Sequence, residues 1–129
     1  MSTIILALTL TTIMTTLSFT TFSHRLNVLN SEYKKQSEAL AQGCVELALL
    51  FLARDRDYTP QADGDAILLK EGSCVVYRVV PPPPRAIGDR VVITTHAVVS
   101  DAHTIFETEI DMLSLDIRIL SQKQKPTAD

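Results

Sequence analysis

The N-terminal stretch of the chain, residues 1–22, reads MSTIILALTLTTIMTTLSFTTF. It holds twelve apolar residues and ten Ser or Thr, and the first titratable side chains are those of His24 and Arg25. As a helix, 22 residues extend roughly 33 Å, which matches the hydrocarbon core of a bilayer at about 30 Å. Residues 1–23 are therefore predicted to form a hydrophobic half-helix that lies in a membrane or among other apolar helices.

This half-helix has two neighbouring stripes, one apolar and one of threonines. A Thr hydroxyl can bond to the carbonyl one turn earlier, and small hydroxyl residues in a stripe are typical of helix–helix contacts in membranes. The alternative interpretation is that Thr is only tolerated in a generic anchor. The two stripes are Leu6, Leu10, Ile13 and Leu17, and Thr9, Thr12, Thr16 and Thr20.

The segment matches a secretory signal peptide poorly. It has no Lys or Arg before the apolar run and no Ala-x-Ala motif after it. Two explanations stay open. Either a basic leader has been removed, or the helix inserts with Arg25, Lys34 and Lys35 setting its orientation, which would place the bulk of the chain in the cytoplasm.

The helix is predicted to continue far beyond this segment, over about residues 3–54. No Pro occurs before Pro60, and from residue 26 the apolar residues follow three–four spacing, with Ser37 as a gap. The sequence Asp57–Pro60 ends the helix. The apolar face is expected to pack on a sheet and consists of Leu26, Leu29, Tyr33, Leu40, Cys44, Leu47 and Phe51.

The second half of the chain predicts an antiparallel sheet of about four strands, so the fold class is α+β. The amphipathic half-helix and the sheet form a globular domain over residues 24–129. In the last strand the apolar positions change phase, which indicates a bulge or a break into two strands, and we favour a bulge near Met112–Leu113. Residues 122–129 are predicted to be a frayed tail. The candidate strands are residues 66–70, 74–80, 90–99 and 104–120.

The chain has two cysteines, Cys44 on the helix and Cys74 at the start of a strand. If the helix packs on the sheet, a disulfide is geometrically plausible, and closing a loop of about 30 residues stabilises by roughly 3–4 kcal/mol. It would need an oxidising compartment, which argues against a cytoplasmic domain. Two buried free thiols are an alternative, and so is a zinc site formed with His96 and His103, although its spacing is not a recognised one.

A membrane-like N-terminus that runs unbroken into an amphipathic helix and a small sheet resembles a type IV pilin. The run at residues 37–49, SEALAQGCVELAL, followed by Cys74, is similar to minor-pilin-type proteins of candidate-phyla bacteria. The resemblance implies that Met1 is the mature N-terminus left by a prepilin peptidase, and that it is methylated. One departure is Ile5, where pilins usually carry a Glu that pairs with a neighbouring N-terminus during assembly.

Several chemistries find no support in the sequence. The net charge of −3 argues against nucleic-acid binding, and there is no phosphate-binding Gly loop or nucleophile motif. Ser100, Asp101 and His103 are interpreted as a turn rather than a catalytic triad. We therefore expect no enzyme, cofactor or small-molecule substrate. Four acidic residues do not fit a calcium loop and are interpreted as solvated turns: Asp55, Asp57, Asp63 and Asp65.

The sequence thus predicts a structural subunit of a type IV pilus-like surface filament, serving adhesion or motility. Its expected partners are copies of itself or related pilins, which pack through the Leu6, Leu10, Ile13 and Leu17 stripe, and the inner membrane before assembly. Two alternatives stay open: a single-pass anchored extracytoplasmic β domain that binds a partner, and a pseudopilin of a secretion or DNA-uptake system.

Overall fold

A single helix dominates the first part of the molecule. In the computed structural model, which describes residues 2–113 and 116–127, helix α1 runs without interruption over Ser2–Arg54. It ends where Asp55 donates its N–H to the carbonyl of Phe51 at 2.8 Å, and the Asp55 carboxylate then accepts the N–H of Asp57 at 3.0 Å. This confirms the predicted helix. The helix is continuous because the stretch contains no proline that would interrupt its hydrogen bonds.

The chain divides into two compact units, one ending at Glu32 and the other beginning at Tyr33. The first contains only helix. In the second, the last turns of α1 pack on a sheet whose five strands follow one another in chain order, each antiparallel to its neighbours. The strands are β1 (Asp65–Leu69), β2 (Gly72–Val80), β3 (Arg90–Val99), β4 (Ala102–Met112) and β5 (Ile117–Lys125).

The predicted count of four strands was wrong, because the last candidate strand is two strands. β4 ends at Met112, and the N–H of Leu113 donates to the carbonyl of Asp116 at 3.1 Å, which closes the connection to β5. The phase change at Met112–Leu113 therefore marks a break and not a bulge. Leu115, which belonged to the predicted pattern, lies outside the described residues.

The predicted frayed tail was also wrong over its first half. Residues 122–125 belong to β5 and pair with β4, with Gln122 opposite Thr108 and Lys125 opposite Ile105. Their side chains are polar, so no apolar alternation reveals the strand in the sequence. They are held by the backbone ladder and by the Gln122 amide, which donates to Gln42 of α1 at 2.7 Å.

The helix presents small and aliphatic side chains to the sheet. The predicted contact face was wrong for most of its members: Cys44 is buried and Leu40 half-buried, and the supposed gap at Ser37 is fully buried. The other predicted residues are exposed, namely Leu26, Leu29, Tyr33, Leu47 and Phe51. The contact follows a narrower stripe, in which alanine and serine allow the helix backbone to approach the strands closely. The buried residues of α1 are Ser37, Ala41, Cys44, Val45, Ala48 and Leu52.

The inner face of the sheet completes this core. Along β3, every second residue from Val91 to Val99 is buried. Along β4 the inward residues are Thr104, Thr108, Ile110 and Met112, which are buried, and Phe106, which is half-buried. The opposite face of the sheet is half-exposed. Since β3 and β4 are joined by the two-residue turn Ser100–Asp101, their register is fixed, with Val99 opposite Ala102.

Candidate functional site

The N-terminal half-helix presents apolar side chains to the outside on all of its faces. The predicted stripe of Leu6, Leu10, Ile13 and Leu17 is between 51% and 60% exposed. Exposure does not single this stripe out, because Met14 and other apolar residues on the remaining faces are exposed to a similar extent. A helix that is apolar all round requires a surrounding of lipid or of other helices.

The hydroxyl groups in this segment are already bonded to the helix itself. Thr16, for example, donates to the carbonyls of Thr12 at 3.0 Å and Ile13 at 2.9 Å. The same pattern recurs for all nine hydroxyls from Thr9 to Ser23, so these donors are not left open to the surroundings. The threonine-rich segment therefore behaves as an apolar surface.

By its length and composition, α1 could cross a membrane. The apolar window lies near the N-terminus of the chain and none of it is buried inside the protein. The first charged side chain of the helix is that of Arg25. Residues 3–25 extend about 33 Å as a helix, which is enough to cross a bilayer core of about 30 Å. Residue Met1, the predicted methylation site, lies outside the described residues.

The core of the second unit contains the predicted disulfide. Cys44 of α1 and Cys74 of β2 are bonded, their Cα atoms lie 6.1 Å apart, and both side chains are buried. The bond joins the helix to the second strand across the core. The bond excludes two free thiols. It also excludes a zinc site that these cysteines share with the histidines, and His96 moreover lies on the opposite face of the sheet from Cys74.

This placement of His96 follows from the strand register. Cys74 pairs with Ala97, whose side chain is buried on the inner face, so that of His96 must point outward. On the outer face the His96 Nε2 and His103 Nδ1 atoms are 3.1 Å apart. The ring of Tyr77 lies beside His96, with centroids 5.9 Å apart. The sequence analysis grouped these two histidines only with the cysteines in a zinc site, and did not predict that their rings meet on the outer face.

Burial and charge both act on the titration of the pair. Burial lowers the pKa of His96 below its usual value, and the charge that His103 acquires on protonation lowers it further. The imidazole of His96 is therefore neutral at neutral pH, the form in which a histidine accepts a hydrogen bond or binds a metal ion.

His103 does not join the triad that its sequence neighbours suggest. Ser100 and Asp101 form the β3–β4 turn, in which Ser100 has a φ of 53°, and the described polar partner of the His103 ring is His96. The turn interpretation of these residues is confirmed.

The acidic residues after α1 organise loops instead of surrounding a cation. The Asp65 carboxylate accepts hydrogen bonds from the Tyr58 hydroxyl and the Gln61 N–H, and that of Asp57 accepts the N–H of Arg85 at 3.1 Å. Burial raises the pKa of the Tyr58 phenol, and the bond to Asp65 and its charge raise it further. Among the described residues, no group of three or more His, Cys, Asp or Glu could hold a metal ion.

Arg85 connects these loops and was not predicted from the sequence. Its buried guanidinium donates to the carbonyl oxygens of Pro81 at 2.7 Å, Arg56 at 2.9 Å and Tyr58 at 2.7 Å. Burial lowers the pKa of Arg85, while the neighbouring carboxylates of Asp57 and Asp55 oppose that shift. The side chain fixes the segment after α1 against the loop that leads into β3.

No protein-family model, no curated protein and no solved structure matches the chain. Two surfaces of the described part of the molecule are candidates for a function: the exposed apolar half-helix and the outer face of the sheet.

Proposed function

We propose that the chain is a structural subunit of a type IV pilus-like surface filament. Before assembly, its N-terminal half-helix lies in the cytoplasmic membrane. In the filament, the same segment packs against the half-helices of other subunits, while residues 24–129 form the outward domain.

The observation that supports this proposal most strongly is the character of the half-helix. It has no charged side chain over its first 23 residues, its apolar side chains are exposed on every face, and its hydroxyls from Thr9 to Ser23 are bonded to its own backbone. Such a surface suits lipid and packed helices alike, because neither offers hydrogen-bond partners. A subunit that exchanges one environment for the other needs this property.

The disulfide supports an extracytoplasmic location for the domain. Disulfides persist in oxidising compartments and are rare in the cytosol, and Cys44–Cys74 joins the two layers of the core. The second unit would thus lie outside the cytoplasm, although Arg25, Lys34 and Lys35 by themselves favour the opposite orientation.

Assembly in this proposal relies on apolar packing at the position where pilins usually carry Glu. Ile5 is exposed and apolar, so it enters a helix bundle without the cost of burying an unpaired carboxylate. The subunit would therefore join a filament without the ion pair between Glu and a neighbouring N-terminus. The contact stripe would be Leu6, Leu10, Ile13 and Leu17.

The test separates assembly from anchoring. Leu10→Trp keeps the helix apolar but changes its shape, so we expect the variant in the membrane fraction and absent from filaments sheared from the cells. The matched control, Leu10→Met, conserves volume and should appear in both fractions. Electron microscopy and immunoblotting of the sheared fraction provide the measurement.

Either of two results would overturn the proposal. If the wild-type chain occurs only in membranes, it is a solitary anchored domain, or a pseudopilin that forms no surface filament. If Leu10→Trp enters sheared filaments as abundantly as Leu10→Met does, the stripe does not pack between subunits.

A further inference from the structure

The outer face of the sheet brings two imidazoles together at a position that the filament proposal does not use. In the β3–β4 register, His96 lies opposite Ile105 and His103 lies opposite Val98, so the two histidines are diagonal neighbours on one face. His96 is half-buried and His103 is exposed. Both rings stand on paired strands, which fix their separation better than loops would.

The rings meet edge to edge. Their centroids are 5.3 Å apart and their planes are inclined by only 21°. The two nitrogens are 3.1 Å apart. Adding the two ring radii to this distance gives about the distance between the centroids, which means that the nitrogens lie on the line that joins the two rings. Each nitrogen therefore points toward the other, and a hydrogen must lie between them, because two lone pairs would repel each other at this distance.

We propose that His96 Nε2 and His103 Nδ1 form a chelating site for a borderline divalent transition-metal ion such as Zn²⁺, Ni²⁺ or Cu²⁺. Imidazole nitrogen suits this class of metal. With metal–nitrogen bonds of about 2.0–2.1 Å, two nitrogens 3.1 Å apart would subtend an angle of about 100° at the metal. This angle lies between the octahedral and the tetrahedral values, so the present separation already suits one shared ion.

Binding needs only a local rearrangement. The hydrogen between the rings moves to the far nitrogen of the ring that donated it, both rings stay neutral, and each lone pair turns toward the metal. The exposed His103 ring has room to rotate. In the part of the chain that the structure describes, no third His, Cys, Asp or Glu completes a cluster, so water fills the remaining coordination positions.

The outer face around the pair carries charges of both signs. Lys125, which pairs with Ile105, forms an ion pair with Glu107, and Arg78 lies opposite Thr94 on the neighbouring strand. The ring of Tyr77 lies beside that of His96, with centroids 5.9 Å apart.

The proposal can be tested by NMR spectroscopy on the full chain in detergent micelles. The chain has three histidines, His24, His96 and His103, and His24, which lies outside the proposed site, is the internal control. With isotope-labelled histidine, a ZnCl₂ titration at pH 7 should shift the ring resonances of His96 and His103 together and saturably. The ring of His24 should not follow. His24→Asn should leave the saturable shift intact, and His96→Asn should abolish it at His103.

His103→Asn provides the second variant, since His103 is exposed and its replacement leaves the core untouched. It should abolish the shift at His96 while the backbone amide spectrum stays that of the folded chain. The proposal is overturned if Zn²⁺ shifts all three histidines alike without saturation, if it shifts His103 alone, or if the folded His103→Asn variant still binds at His96.

Discussion

Thr104 and Thr108 lie four residues apart on the inner face of β4, and both are fully buried, but their hydroxyls differ in their partners. The hydroxyl of Thr104 is hydrogen-bonded to that of Ser37 and accepts a bond from the Lys34 ammonium at 3.2 Å. The hydroxyl of Thr108 finds no partner among the described residues. One threonine therefore joins the helix to the sheet, whereas the other buries an unpaired polar group.

The same substitution at these two sites should consequently have opposite effects. Thr104→Val leaves the Ser37 hydroxyl buried without a partner and should lower the free energy of unfolding by about 1–3 kcal/mol. Thr108→Val removes an unpaired hydroxyl and should be neutral or stabilising by about 1 kcal/mol. Urea unfolding of the two variants, followed by circular dichroism, measures both. An equal loss at both sites would show that the network with Ser37 contributes nothing.

The disulfide should supply a large part of the stability of the second unit. It closes a separation of 30 residues between Cys44 and Cys74, so replacing both by Ala should cost about 3 kcal/mol, or roughly 12–24 °C in Tm for a unit of this size. Thermal unfolding of the wild type with and without reductant is the companion measurement. An unchanged Tm in reductant would contradict the expectation.

Arg85→Lys should destabilise the loops although it conserves the charge. A lysine cannot reproduce the fork of donors that serves the carbonyls of Pro81, Arg56 and Tyr58. Leaving even one of these groups unpaired predicts a loss of about 2 kcal/mol. The matched control is Arg78→Lys at an exposed position of β2, which should stay within about 0.5 kcal/mol of wild type. Equal thermal unfolding of the two variants would refute this role for Arg85.

The stability of the domain should depend on pH through His96. Because burial lowers its pKa in the folded state, the unfolded chain binds more protons just below the ordinary value of about 6.5, and the free energy of unfolding rises with pH in that window. Between pH 7.5 and pH 5, His96→Asn should lose less stability than wild type. The titration is run in a chelator, with His24→Asn as the control. Identical slopes for wild type and His96→Asn would contradict the prediction.

These residues also show how far the sequence predicts the structure. The absence of proline, with apolar residues at three–four spacing from residue 26, predicts α1, and short apolar runs with β-branched residues predict the first three strands. The helix face was assigned from large apolar residues such as Leu47 and Phe51, and that assignment was wrong. Close packing of a helix on a sheet selects small residues, and Ala41 and Ala48 are the ones that are buried. Side-chain size at the contact was the signal that could have identified the buried face.

The two features that the sequence did not predict differ in the signal that they leave in the sequence. The pairing of His96 with His103 requires the β3–β4 register, which the two-residue turn at Ser100–Asp101 determines. That turn could have revealed the pair, since it places residues 96 and 103 diagonally across it. The burial of Arg85 leaves no such signal, because a single charged residue in a proline-rich loop ordinarily faces solvent.

The last prediction concerns the threonines of the half-helix. Because the Thr16 hydroxyl is bonded to the carbonyls of Thr12 and Ile13, Thr16→Val should change the apparent free energy of membrane insertion by less than about 1 kcal/mol. Ile13→Lys, one turn away, should raise it by roughly 3–4 kcal/mol. A glycosylation-based insertion assay with the segment in the full chain compares the two. If Thr16→Val improved insertion as strongly as Ile13→Lys impairs it, the Thr16 hydroxyl would still be polar toward the lipid. The threonine side chains could then not be treated as part of an apolar surface.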